Sequence, residues 1–271
     1  MAALDQAGAW LLSTMGWWIV GLFLTFMLLE LALPGNQAPR GGSNGSRLVT
    51  NFGMAALTAF LGLAIPFSSV IAAQMAQDAG FGLFNAVSAP WVAVMVVAVL
   101  SRSFLNYWVH RAFHAVPLLW RLHRIHHCDT HVDLSLSLRQ HPLDYPPRLL
   151  AFAAGTALLG LPVWAVLIAD LMLVATNYWE HVDGRMPKRL ERALGLVFVT
   201  PEAHRLHHST FQPQTDSNFG GGLIVWDRLF GTHRDPQAED ARQIGLEEVD
   251  PDTAAHIGRQ LALPFVKLPR R

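Results

Sequence analysis

The sequence is short of charge and almost without cysteine. Only 15% of its 271 residues are Asp, Glu, Lys or Arg, against about 25% in an average soluble domain. That is too little polar surface to clothe a globule in water, and it points to a lipid-facing protein. The single cysteine, Cys128, excludes a disulfide framework and a multi-thiolate metal site. Twenty basic residues balance twenty acidic ones, which excludes an overall basic nucleic-acid binder and an acidic solvating tail. Repeats, low-complexity tracts, a Gly-rich phosphate loop and flavin, haem or iron–sulfur motifs are also missing.

Charge is missing in blocks. Trp10–Leu29 is a 20-residue run without it, 30 uncharged residues separate Arg47 from Asp78, and 23 more separate Asp78 from Arg102. A membrane helix needs about 20 apolar residues, so transmembrane helices are expected at roughly 9–30, 50–74 and 88–108. Arg40 is the first basic residue, so the basic segment of a cleavable signal peptide is missing and the first helix is expected to be retained. Loop 34–47 carries Arg40 and Arg47, and the other 18 Lys and Arg lie at or after Arg102. The positive-inside rule places both regions in the cytoplasm and the N-terminus outside. Two lysines against 18 arginines, with abundant alanine, suggest a GC-rich bacterial source and the inner membrane.

Against these deficits stands an excess of histidine, 13 residues. Three clusters hold most of it: His110-Arg-Ala-Phe-His114, His123-Arg-Ile-His126-His127 and His204-Arg-Leu-His207-His208. At this histidine frequency about 0.03 H-x-x-H-H matches are expected by chance, and two occur. Spacings of three and four residues put imidazoles on one helix face, where they converge on a metal. Zinc is saturated by four ligands, so eight or more histidines imply two ions. A nitrogen-rich pair of metals beside lipid points to iron and oxygen chemistry.

These blocks resemble the fatty acid hydroxylase/sterol desaturase superfamily of integral-membrane di-iron oxygenases. The matching text is Tyr107-Trp-Val-His-Arg-Ala-Phe-His114, Trp120-Arg-Leu-His-Arg-Ile-His-His127, Leu138-Arg-Gln-His-Pro-Leu-Asp144, Thr200-Pro-Glu-Ala-His-Arg-Leu-His-His208, Asn218-Phe-Gly-Gly and Trp226-Asp-Arg-Leu-Phe-Gly-Thr232. The resemblance implies iron ligands at His110, His114, His123, His126, His127, His204, His207 and His208. It adds His181 in Tyr178-Trp-Glu-His-Val-Asp183, and His141 either as a tenth ligand or as a residue supporting one. Two positions depart from the family: Asn177 stands where members often carry a further histidine, and Ser103 where they commonly carry an aspartate. Candidates to orient the imidazoles are Asp129, Asp133, Asp144, Glu180, Asp183, Glu202 and Asp227. His131, His233 and His256 read as polar surface residues.

The boxes must share one membrane face, and this constrains the apolar stretch Leu149–Asn177. A single crossing would separate the third box from the others, and the 32 residues between Arg148 and His181 fall short of the about 40 that two crossings require. Gly160-Leu161-Pro162 breaks the stretch, so two half-length helices dipping into the bilayer are expected. Asp170 on the returning arm reads as a functional residue or as one paired within the bundle.

The expected fold is therefore an all-α integral membrane protein, with three transmembrane helices, a membrane-dipping helical hairpin and a cytoplasmic helical cap holding a dimetal site. Residues 1–88 form the N-terminal spans, 89–235 the catalytic domain and 236–271 an amphipathic or loosely held tail. The expected activity is hydroxylation or desaturation of an unactivated C–H position in a sterol, fatty acyl or alkylglycerol lipid. It would use two Fe2+ ions, O2, and electrons from an external electron-transfer protein or reductant. Transport or storage of metal is the alternative, but transporters place ligands near the bilayer midplane and the uncharged runs contain no histidine. A membrane-bound zinc hydrolase would need three or four ligands rather than eight.

Overall fold

A computed structural model describes residues 2–35, 44–238, 241 and 243–268; Arg40 lies outside them. Fourteen α-helices are present among these residues. They are α1 (Ala2–Ala32), α2 (Asn44–Ala64), α3 (Ser69–Asp78), α4 (Leu83–Ala86), α5 (Trp91–Ala115), α6 (Pro117–His127) and α7 (Tyr145–Leu159). After these come α8 (Val163–Glu180), α9 (Lys188–Leu194), α10 (Pro201–His207), α11 (Gln212–Thr215), α12 (Val225–Leu229), α13 (Pro251–Ala254) and α14 (Ile257–Ala262). Short 3-10 turns at Leu134–Leu138, Pro142–Asp144 and Leu263–Phe265 complete the regular structure. Strand pairing among the described residues is limited to two isolated bridges, Phe198 with Leu223 and Ser209 with Ile244.

Three stretches are long and apolar enough to cross a membrane: Ala3–Ala32, Asn44–Ala86 and Trp91–Ala115. The first is one helix of 31 residues in α1. The second is not the single helix expected at 50–74. Pro66 lacks a backbone N–H and cannot continue α2, and Ser68 restarts the chain by accepting the Ile71 N–H at 3.2 Å as the N-cap of α3. The third span runs on to Ala115 rather than ending near 108, and those extra turns carry His110 and His114.

The break at Gly160-Leu161-Pro162 separates α7 from α8. Gly160 caps α7 in the left-handed conformation at φ 60° and Pro162 opens α8. The arms are longer than the expected half-length helices. An 18-residue α8 spans about 27 Å and lies beside α1 for most of its length. Trp164 lies against Gly8, and Gly184 just beyond α8 lies against Leu33. Between them, the Tyr178 ring sits 5.5 Å from Phe23 and 6.4 Å from Phe26. The turn itself is covered, because Leu161 and Trp164 join Ala73, Val94 and Ala98 of α3 and α5 in one buried cluster. A Cβ on Gly82 would meet the backbone nitrogen of Gly160 at 2.4 Å, and this close approach leaves room only for glycine.

Asp170 is paired inside the bundle. Its Oδ1 lies 2.6 Å from Nε of Arg102 on α5, and the Arg102 guanidinium stacks 4.7 Å over the Phe152 ring of α7. One ion pair thus ties α5, α7 and α8 together.

The C-terminal segment is docked rather than loosely held. Leu246, Val249, Ala254 and Leu263 share a buried cluster with Met54, Ile125 and Cys128. Thr50 donates to the Ala255 carbonyl at 2.8 Å, Arg124 to that of Val266 at 2.7 Å, and buried Arg139 to that of Ala254. The segment closes the back of α6, the helix bearing the second histidine box.

Candidate metal centre

Nine histidines converge in two groups. His110, His114, His123, His127 and His207 form one; His126, His181, His204 and His208 form the other. Within each group one nitrogen per residue lies within 4.8 Å of all the others. The helical spacing explains the division. In the second box His123 and His127, four residues apart, face the five-histidine group while His126 faces the other. In the third box His204 and His208 face the four-histidine group while His207 faces the five. Each H-x-x-H-H box therefore serves both groups, and adjacent histidines diverge because successive residues on a helix do not share a face.

Backbone carbonyls set the tautomers. His110 Nδ1 lies 3.0 Å from the Phe219 carbonyl, His207 Nδ1 2.7 Å from that of Ser217, His126 Nδ1 3.2 Å from that of Arg139 and His181 Nδ1 2.7 Å from that of Asn177. A carbonyl only accepts, so each of these Nδ1 atoms donates, and each Nε2 of a neutral ring is left with its lone pair. Those lone pairs then face one another. His110 Nε2 is 3.1 Å from His123 Nε2 and 3.0 Å from His207 Nε2; His181 Nε2 is 3.2 Å from both His126 Nε2 and His204 Nε2. Bare acceptors at such distances repel unless a cation lies among them. Metal–imidazole bonds of about 2.0–2.1 Å set neighbouring donors about 3.0–3.4 Å apart, which matches this spacing. Both ring nitrogens of His127 are buried and lack a hydrogen-bond partner among the described residues. The donor set fits two metal ions.

Burial, reinforced by neighbouring imidazoles, holds His123, His126, His127, His204, His207 and His208 well below the ordinary histidine pKa. Burial lowers His181 to about 4, opposed by its bond to the Asn177 carbonyl. All seven are neutral at pH 7, the form that binds metal.

Carboxylates stand behind the imidazoles. Asp144 Oδ2 lies 3.4 Å from His123 Nδ1, and burial raises this acid to about 7 against the opposing pull of Arg148. Glu180 Oε2 lies 3.9 Å from His204 Nδ1, and Asp216 Oδ1 lies 3.2 Å from His114 Nδ1. Asp227 acts at one remove. Completely buried, it accepts the N–H groups of Phe219 and Gly220 at 2.8 Å and the Thr232 hydroxyl at 2.7 Å. It thereby fixes the loop whose Phe219 carbonyl orients His110.

Other residues go elsewhere. His141 lies in neither group; it caps a 3-10 turn, its Nδ1 accepting the Leu143 N–H at 3.1 Å. Asp129 and Asp133 bind Arg47 and Asp129 also binds Arg139, whereas Asp183 binds Arg205 at 2.7 Å. His131 is buried and 3.3 Å from Asp183, so it is not the surface residue expected. Ser103 accepts from Trp226 Nε1 and donates to the Gly221 carbonyl, without touching a histidine. Asp216 was missed by sequence reasoning, since its only signal is a position eight residues after the third box. Asn177 contributes its carbonyl to His181 while its side chain reaches towards the Ser137 carbonyl at 3.5 Å.

Comparison with known proteins agrees with this geometry. A family model described as fatty acid hydroxylase matches residues 95–232, just over half of the chain. Alkylglycerol monooxygenase of Danio rerio is 32% identical over 154 residues, 55% of this chain and 33% of that protein. Ornithine lipid hydroxylase OlsE of Rhizobium tropici is 28% identical over 182 residues, 67% of this chain and 53% of that protein. C-4 methylsterol oxidase erg25 of Schizosaccharomyces pombe is 27% identical over 184 residues, 62% of this chain and 58% of that protein. The chain thus spans about a third to somewhat over half of these relatives. No solved structure matches it. With the matched region holding all nine converging histidines, the chain belongs to the fatty acid hydroxylase family.

Proposed function

We propose that this protein is a multi-pass membrane oxygenase that hydroxylates or desaturates an unactivated C–H position of a lipid, using two iron ions bound by the nine converging histidines. The observation that carries this reading is the pair of imidazole clusters, one of five and one of four histidines with eight of the nine rings buried, in a chain with three helices apolar enough to cross a membrane. Side chains alone cannot activate O2; bound iron supplies that chemistry, with two electrons from an external protein or reductant. The chain holds the imidazoles neutral, fixes their orientation through backbone carbonyls, and excludes water from a site where eight of the nine rings are buried. The short helices around the site form the proposed cytoplasmic cap, and α7–α8 the proposed membrane hairpin. The relatives, an alkylglycerol monooxygenase, an ornithine lipid hydroxylase and a methylsterol oxidase, favour a polar-headed lipid or a sterol as substrate. His141 does not belong to this ligand set, because it is engaged in its own turn.

The test has two parts. Protein purified after expression in iron-replete medium should carry two irons per chain, whereas stoichiometric zinc without iron would refute the reading. Lipid profiling of cells with and without the protein should then show one lipid class gaining a hydroxyl or a double bond only when the protein is present.

A further inference from the structure

The stretch 185–198 and helix α12 carry a surface that the metal centre does not use. The one acidic residue of that stretch, Glu191, is turned inward and buried, while Lys188, Arg189 and Arg192 on the same helix are exposed. Directly after these cations the chain exposes apolar side chains: Leu196 at 63% and Val197 at 52%, with Leu229 of α12 at 65%. In water such a surface is a liability. Basic residues beside exposed apolar ones are instead the mark of an element lying in a membrane interface.

Neighbouring aromatics place that interface independently. Phe104 and Trp108 of α5 meet Trp226 and Phe230, with ring centroids 5.1 Å apart for Phe104–Trp226 and 5.0 Å for Trp108–Phe230. Amphipathic indole rings such as those of Trp108 and Trp226 gather at headgroup level. Arg111, almost one turn further along α5, stacks 5.2 Å over Trp108. Phe198 lines a crevice with Val99 and Met172, so the apolar end of the stretch reaches the lipid-facing flank of α5 and α8. Asp235 lines a crevice with Arg192, and the three cations of α9 outnumber it on this surface.

We propose that Lys188–Phe198 and Val225–Leu229 form a lipid-binding platform on the histidine side of the membrane. Leu196, Val197 and Leu229 insert at headgroup level, and Lys188, Arg189 and Arg192 hold the phosphates of anionic phospholipids. The proposal rests on the membrane reading of the three long helices. Each basic residue near an anionic surface adds about fivefold to its attraction.

The full chain in nanodiscs of phosphatidylcholine and phosphatidylglycerol, read by native mass spectrometry of retained lipid, tests the charge. Wild type should prefer phosphatidylglycerol, and Lys188→Gln/Arg189→Gln/Arg192→Gln should lower that preference at least about tenfold. Arg259→Gln, removing an exposed cation that is paired with Asp252, should change it less than about twofold. An unchanged preference in the triple variant overturns the proposal. Spin labels at Leu196→Cys, Leu24→Cys and Ala238→Cys test the insertion, Cys128 being 1% exposed and shielded from the reagent. Labels at 196 and 24 should relax with dissolved O2 and resist an aqueous nickel chelate, and the label at 238 should do the reverse. Nickel access at 196 but not at 24 overturns the platform alone; access at both overturns the membrane reading as well.

Discussion

The two histidine groups are cut from the same boxes but held by different kinds of structure. The five-histidine group leans on a loop: His110 and His207 are oriented by the Phe219 and Ser217 carbonyls, and Asp227 anchors that loop. The four-histidine group leans on helical and buried backbone, through the Asn177 carbonyl within α8 and the Arg139 carbonyl. Arg139 is itself completely buried, donating to the Ile125 carbonyl at 2.9 Å. Two sites of similar donors therefore differ in what must hold still for them to work. The loop-built group depends on a few distant hydrogen bonds, and the helix-built one on the packing of the bundle.

Removing a donor from either group is the strongest way to break the comparison. His207→Ala and His181→Ala should each lower lipid oxidation by at least about 100-fold. Metal analysis should show the first depleting the five-histidine group and the second the four-histidine group. Equal loss from both groups in each variant would show that they bind metal as one unit. Retained activity in His207→Ala would refute its assignment as a donor.

Asp227→Asn sharpens the comparison without touching a ligand. It should weaken metal binding about 10–100-fold in the five-histidine group and leave the other filled, measured as metal retained against a graded chelator. Uniform loss accompanied by unfolding would make Asp227 a general stabiliser instead.

Acid should act on both groups. Their histidines are depressed in the fold, so between the folded pKa and the ordinary value of about 6.5 the unfolded chain binds more protons. The histidines' contribution to the stability of the metal-free protein is full above about pH 6.5 and falls as pH drops, with buried Asp144, raised to about 7, opposing part of that fall. For His181 the decline continues to about pH 4. Thermal melts of chelator-treated protein between pH 7.5 and 5, as rough bounds, should show a falling midpoint, and a flat profile would contradict the burial of neutral imidazoles. The smallest effect belongs to His141→Gln. Metal content should stay unchanged, with a loss of about 1 kcal/mol read by denaturant melting.

Much of this was legible in order along the chain. Three uncharged runs marked the long helices, the spacing of the boxes marked eight of the nine histidines that converge, and the family resemblance marked the ninth, His181. Distant partners were only partly legible. Asp227 stood among the candidates, but its role through the Phe219 loop depends on the fold, and Asp216, which meets His114 directly, has no spacing signature. His141 sits in a motif-like Arg-x-His-Pro context, yet its local turn claims the ring. The second span looked continuous because Pro66 is uncharged, and an inventory of charge does not register a missing N–H. Residues 244–268 looked loose because their buried apolar side chains are scattered among Asp, Pro and Glu, without a period to reveal the surface they cover.

Composition and spacing by themselves determined that the protein is helical, lipid-facing and rich in clustered imidazoles, since apolar length and helical period are local properties of a chain. Which imidazole joins which group was decided only in three dimensions. His126 and His127 are neighbours in sequence and face different groups, and His207 and His110 meet across 97 positions. Only the packing of α5, α6, α8 and α10 brings imidazoles from the three boxes together, and only backbone carbonyls outside the boxes, those of Phe219, Ser217, Arg139 and Asn177, fix which nitrogen His110, His207, His126 and His181 present.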